Sequence, residues 1–185
     1  EAAQVLVTNG GKQAVFQAFA TVLDPGDEVL LPAPYWTTYP EAIRQSGAAE
    51  VPVLAGADQG YVPTVAQLEA ARTERTKVLL WCSPSNPTGA VASVEQLRAW
   101  VDFSRETGAI IASDECYLYL GWSAEPVSIL HPSVTGGDNT GLLALHSLSK
   151  TSNMASYRAG TVSGDEALVQ ELLEVRKHAG LIVPG

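Results

Sequence analysis

Strand-like apolar runs alternate with helix-period segments from one end of this chain to the other, and few folds accept such a pattern. The strand candidates are residues 5–8, 28–31, 49–54, 78–82, 109–113, 142–147 and 159–163. The helix candidates are 12–23, 37–47, 64–71, 93–107 and 165–178. Runs such as Val78-Leu79-Leu80-Trp81 and Leu142-Leu143-Ala144-Leu145 are apolar throughout, as in strands covered on both faces. Strand–helix alternation at this spacing predicts an α/β fold: a sheet between two helical layers. Asp24-Pro25-Gly26-Asp27 ends the first helix, and Ser93 with Gln96 three places on is a capping box for the fourth. No internal repeat or low-complexity tract interrupts the pattern, so residues 1–185 are read as one domain.

The bulk properties remove several function classes. Net charge is −9 and no basic stripe occurs, which argues against nucleic acid or an anionic membrane as partner. No apolar run has the length of a membrane span. Cys82 and Cys116 both lie in apolar strand-like runs and read as core thiols in a reducing compartment, hence a cytoplasmic protein. No metal-ligand set is singled out. The chain begins at Glu1 without methionine and is taken as a piece of a longer protein.

In such sheets ligands sit at the carboxyl ends of the strands. The first strand ends in Thr8-Asn9-Gly10-Gly11-Lys12 and leads straight into a helix, either a plain turn or an anion site built from free N–H groups. The second leads to Pro32-Ala33-Pro34-Tyr35-Trp36, where Trp36 either covers the core or stacks on a flat ligand. The fourth ends in Ser83-Pro84-Ser85-Asn86-Pro87-Thr88-Gly89. Asn86-Pro87 is a candidate cis bond that would aim Asn86, or else an ordinary turn. The fifth delivers Asp114, a half-buried acid in need of a partner, with Tyr117 three residues on. The sixth delivers Ser147-Leu148-Ser149-Lys150, with Arg158 following. Lys150 is either a structural cation or an amine that attacks a carbonyl carbon and holds it as a Schiff base, kept deprotonated by nearby positive charge.

Five of these motifs occur in one order: Gly-Gly-Lys-Gln-Ala, Pro-Tyr-Trp, Asn-Pro-Thr-Gly, Asp-Glu-x-Tyr, and Ser-x-Ser-Lys followed by Arg. In that order they resemble the pyridoxal 5'-phosphate enzymes of the aspartate aminotransferase superfamily, fold type I, over nearly the whole chain. The resemblance implies a three-layer large domain with a mainly parallel seven-stranded sheet whose last strand is antiparallel. It implies that the N-terminal segment and the small C-terminal domain, with its substrate-carboxylate arginine, lie outside these residues. It assigns Lys150 as the residue bonded to the cofactor aldehyde and as the base for the α-proton. Asp114 is implied as the partner of the pyridine nitrogen. Tyr117 and Asn86 are implied at the ring's phenolic oxygen, Asn86 also at the substrate carboxylate, and Trp36 at the ring face. Gly11 and Lys12 through their N–H groups, with Ser147 and Arg158, are implied as holding the phosphate. A homodimer acting on an amino acid and a 2-oxo acid is also implied. The family usually has glycine two places before the arginine. Ser156 stands there in this chain, which puts the local backbone path in question. His146, Tyr119 and Tyr157 are read as packing or pocket wall.

Residues 113–122, and the stretch from His131-Pro132 through Gly137–Leu143 to Lys150, are more particular: they are similar to actinobacterial N-succinyldiaminopimelate aminotransferases of lysine and diaminopimelate biosynthesis. Aspartate, aromatic or other amino-acid aminotransferases, and a C–S lyase on the same fold, are the enzyme alternatives. A transcription regulator with a cofactor-sensing domain is the non-enzyme alternative, and this piece alone is expected to be inert.

Overall fold

A computed structural model describes residues 1–179. The strands are β1 (Val5–Thr8), β2 (Glu28–Ala33), β3 (Ala49–Leu54), β4 (Thr76–Cys82), β5 (Ile110–Asp114), β6 (Leu142–Ser147) and β7 (Gly160–Gly164). The helices are α1 (Gly10–Val22), α2 (Thr38–Gln45), α3 (Val65–Ala71), α4 (Val94–Thr107), α5 (Pro132–Thr135), α6 (Leu148–Thr151) and α7 (Glu166–Ala179), with short 3-10 turns between some of them. The sheet order is β1-β7-β6-β5-β4-β2-β3. Only β7 runs antiparallel to its neighbours, as the resemblance implies.

Side chains alternate across each strand, and this splits the core into two layers. Val29 and Leu31 of β2, Val78 and Leu80 of β4, Ile110 and Ala112 of β5, and Leu143 and Leu145 of β6 pack with α1, α2 and α7 residues such as Phe19, Ile43 and Leu172. Leu30, Leu79, Trp81, Ile111, Leu142 and Ala144 pack on the other face with Leu68 of α3 and Leu97, Trp100 and Phe103 of α4. Full burial of side chains of this size contributes about 1.5–3 kcal/mol each. The inner strands are therefore covered on both faces, and their uniform hydrophobicity follows. The edge strands β1 and β3 are buried on one face at most: β1 alternates exposed and buried residues, and β3 buries only Val53.

Several boundaries differ from the sequence reading. α1 begins at Gly10, two residues before the predicted start, because its glycines belong to the helix rather than to a turn before it. β2 runs on through Pro32, since its pairing with β3 continues to Ala33 opposite Leu54. β5 takes in Asp114, which pairs with Cys82 on one side and Leu145 on the other. Lys150 lies in the single turn of α6, capped by the Ser147 hydroxyl, a helix the sequence reading did not include. The capping box of Ser93 and Gln96 is present, and Thr64 with Gln67 forms another at α3. Ser156 lies in a right-handed 3-10 turn, a conformation open to serine, so the departure from glycine is accommodated. No helix among the described residues is long and apolar enough to cross a membrane.

Gly160 fixes how closely α1 approaches the sheet. A Cβ there would stand 2.7 Å from the His146 carbonyl oxygen, 2.8 Å from the Gly10 carbonyl carbon and 3.0 Å from the Gly11 nitrogen. All three are backbone atoms that cannot rotate away. Gly160→Ala is expected to lower stability by about 1–3 kcal/mol, read as a lower midpoint in urea unfolding of the full-length protein with an unchanged slope.

Candidate active site

Alternation and register together aim the strand ends. Cys82 and Asp114 are paired across β4 and β5, and Asp114 is level with Leu145 in β6. Cys82 and Asp114 continue the series that faces α1 and α2, and so does Ser147. One cavity of about 260 Å³ forms there. It is lined by all nine predicted site residues: Gly11, Lys12, Trp36, Asn86, Asp114, Tyr117, Ser147, Lys150 and Arg158. Tyr39, Cys82, Cys116, Ser149 and Ala155 complete the wall.

One end of the cavity suits an anion. The N-cap of α1, Asn9, makes no side-chain bond to the helix, while α3 and α4 are both closed by capping boxes. The first-turn N–H groups of α1 are thus left open, at the positive end of its dipole. A Cβ on Gly11 would meet Cys116 Sγ at 2.9 Å and the Ser147 Cβ at 3.3 Å, so only glycine lets the helix start this close. The Arg158 guanidinium packs against Gly10, whose Cβ would fall 2.7 Å from Cζ. Arg158 donates to the carbonyl oxygens of Ala155 (2.9 Å) and Asn9 (3.4 Å) and pairs with no carboxylate among the described residues. Its charge is free to meet an anion.

The other end is built around Asp114. It is 5% exposed, more deeply buried than the half-buried acid read from sequence, because β6 and α2 both cover it. Its Oδ2 accepts a hydrogen bond from the Tyr39 hydroxyl at 2.7 Å, and its Oδ1 accepts from the Cys116 N–H at 3.1 Å. Tyr39 is buried, and its ring meets Trp36 edge-on with centroids 5.4 Å apart. Burial, and next the neighbouring Asp114 charge, hold the Tyr39 phenol well above its ordinary pKa, so it remains a donor. The sequence reading missed Tyr39. Its only signal was its place three residues after Trp36 at the start of an amphipathic helix, which reads equally well as core.

Between the two ends, Lys150 Nζ lies 5.9 Å from the Tyr117 ring centroid, with no acidic partner among the described residues. Burial raises the Tyr117 phenol, nearby Cys82, Cys116 and Asp114 add to this, and the Asn86 amide works against it. Asn86-Pro87 is cis, as the sequence reading held open, and so are Ala33-Pro34 and Ser83-Pro84. Trp36 both borders the cavity and packs against the core, so its two readings are compatible. Tyr157 and Tyr119 are 61% and 74% exposed and take no part in this cavity. Tyr157 ends the 3-10 turn Ala155–Tyr157 and Tyr119 lies past the end of β5, so packing is corrected for both, while Tyr119 does line hollows elsewhere on the surface. His146 points to the opposite face of the sheet, half-buried beside Glu115.

The family described as aminotransferase class I and II matches residues 1–180. An aspartate aminotransferase of Streptomyces avermitilis is 46% identical over 97% of this chain and 44% of its own length. A probable aminotransferase of Mycobacterium tuberculosis is 65% identical over 55% of this chain and 24% of its own. Among solved structures, an aspartate aminotransferase from Thermotoga maritima superposes with a TM-score of 0.93 at 32% identity, covering 99% of this chain and 48% of that one. The chain thus spans less than half the length of the Streptomyces and Thermotoga proteins.

Both cysteines are free thiols. Burial pushes Cys82 up to about 12, and burial with the Asp114 charge raises Cys116 as well. Thiolate is the reactive form. Both thiols are therefore expected to resist a disulfide reagent at neutral pH in the folded protein and to react at once in denaturant, followed by absorbance.

Proposed function

The chain belongs to the class I and II aminotransferases, a pyridoxal-phosphate-dependent family, and on that premise we propose that its cavity holds this cofactor and that the full-length protein is an aminotransferase. The observation that carries the reading is the meeting, in one cavity, of a free lysine, a buried carboxylate and an open helix start beside an unpaired arginine. The residues fit the group. The N–H groups of Gly11 and Lys12, the Ser147 hydroxyl and Arg158 suit a phosphate dianion. Asp114, with one oxygen held by Tyr39 and the other by Cys116 N–H, keeps further lone pairs for a protonated ring nitrogen.

Pyridoxal phosphate, when bound, supplies an aldehyde for amino-group exchange and a ring that accepts the electrons left at the substrate Cα. The chain's own residues do the rest. Asp114 holds the proton on the ring nitrogen. Tyr117 and Asn86 hydrogen-bond the phenolic oxygen, and Asn86 also orients the substrate carboxylate. Trp36 covers one ring face and keeps water out. Lys150 would hold the cofactor through Nζ, and the same amine would move the proton at the substrate Cα. Residues 1–185 act as the cofactor-binding large domain of a cytoplasmic homodimer.

For the substrate, we infer exchange between glutamate and N-succinyl-2-amino-6-oxopimelate in lysine and diaminopimelate biosynthesis, on the similarity of residues 113–122 and 131–150. Lys12 agrees with an acidic substrate: it is exposed, lines the cavity 5.4 Å from the Trp36 centroid, and pairs with no acid among the described residues. A second reading, aspartate as donor, is favoured by the names of the Streptomyces and Thermotoga relatives.

Borohydride reduction of the full-length protein with pyridoxal phosphate is expected to leave a pyridoxyl label on Lys150, found by peptide mass mapping. Label confined to Lys12, Lys77 or Lys177 defeats the assignment. A substrate screen with N-succinyldiaminopimelate, aspartate and glutamate then separates the two donors. Tyr39→Phe keeps the ring but removes the hydrogen bond to Asp114. Loss of a bond to a charged group costs about 1.5–3 kcal/mol, so cofactor dissociation is expected to rise about tenfold or more in a fluorescence titration.

A further inference from the structure

Glu115 follows Asp114 but points the other way. It is 1% exposed and lies with Ser113 and His146 on the face away from the cavity. Its Oε1 accepts from Ile129 N–H at 2.7 Å and from the Ser113 hydroxyl at 3.0 Å. The first of these bonds closes the 115–129 stretch onto the end of β5. Tyr117 is the second residue past that anchor. Among the described residues the buried Glu115 Oε2 has no hydrogen-bond partner, and His146 Nε2 lies 3.4 Å from it.

The groups facing this carboxyl are few. Asp114 adjoins it on β5, Ser128 and the Ile129 N–H reach it from the returning loop, and His146 reaches it from β6. No lysine or arginine pairs with it among the described residues. A bare carboxylate here would be buried, one residue from a second carboxylate, without a cation. A proton placed on Oε2 turns an orphan acceptor into a donor aimed at the imidazole.

We propose that Glu115 is a positioning residue for Tyr117: in its neutral form it donates to His146 Nε2 with one oxygen and accepts from Ile129 N–H and Ser113 Oγ with the other, latching the loop that carries Tyr117. This rests on the reading that Tyr117 serves the cofactor ring. The protonation tendencies agree. Burial pushes the Glu115 carboxyl up to about 7, against the hydrogen bonds from Ile129, Ser128 and Ser113, and burial also lowers His146. The neutral form leaves Asp114 as the single charge at the end of β5. The proton is held below about pH 7 and lost above it, so the contact to His146 is lost on the alkaline side while Oε1 still accepts from Ile129 and Ser113.

The test uses the full-length holoenzyme. Infrared difference spectra of wild type against Glu115→Gln, taken at about pH 6 and about pH 8.5, on either side of the titration, are expected to show a protonated carboxyl band that is present at the lower pH and fades at the higher. Glutamine can donate and accept at the same places. Glu115→Gln is therefore expected to keep kcat within about threefold of wild type and to flatten the alkaline limb of its pH profile, while Glu115→Ala lowers kcat about tenfold or more at unchanged KM. If the alanine variant does not fold, His146→Phe is expected to move the carboxyl band to the frequency of a free acid. Absence of the band, equal damage from glutamine and alanine, or a band unmoved by His146→Phe overturns the proposal. The infrared band does not depend on turnover. A band present without a pyridoxyl label on Lys150 refutes the aminotransferase reading, and with it the Tyr117 role, while leaving the protonated contact standing. A label without the band refutes the latch alone.

Discussion

The level register of three parallel strands underlies everything at the cavity. Cys82 sits opposite Asp114, and Asp114 opposite Leu145, so β4, β5 and β6 release their chains at one height. The side-chain period of a strand is two. A slip of one residue in β5 would turn Asp114 toward the α4 layer and bring Glu115 into the cavity. The slip is blocked because Ile110 and Ala112 fill one apolar layer and Ile111 the other. The core chooses the register, and the register aims the chemistry.

A second constraint is the closeness of α1 to the sheet. Gly10, Gly11 and Gly160 together remove the Cβ atoms that would hold the helix start away from β7, Ser147 and Arg158. The result is a polarised cavity. One end gathers open N–H groups and a guanidinium, and the other holds a buried carboxylate that accepts from a phenol and a backbone N–H. A ligand that is an anion at one end and a protonated ring nitrogen at the other matches both. The mismatch for any other orientation fixes its direction.

Adjacent residues at the end of β5 serve opposite faces under opposite conditions. Asp114 accepts on both oxygens, from the Tyr39 hydroxyl and the Cys116 N–H; Glu115 accepts on one oxygen and faces an imidazole with the other. Their different electrostatic settings come from one property of the strand, its alternation, applied to two acids in succession.

The alternation of apolar runs with helical patterns determined the layered α/β class, and the strand ends offered the candidates from which the family resemblance singled out the nine residues that meet in the cavity. Those features are local: composition sets burial, and burial sets strand or helix. The sequence was silent where a role depends on a partner distant along the chain. Tyr39 is a core-like aromatic until α2 places its hydroxyl on Asp114, 75 positions away. Glu115 is the unremarked neighbour of a motif acid until the loop through Ile129 folds back onto it. The depth of Asp114, the start of α1 at Gly10 and the turn of helix under Lys150 were likewise decided by packing. Hydrogen-bond partners and desolvation are set by which surfaces meet, and only the tertiary structure decides that.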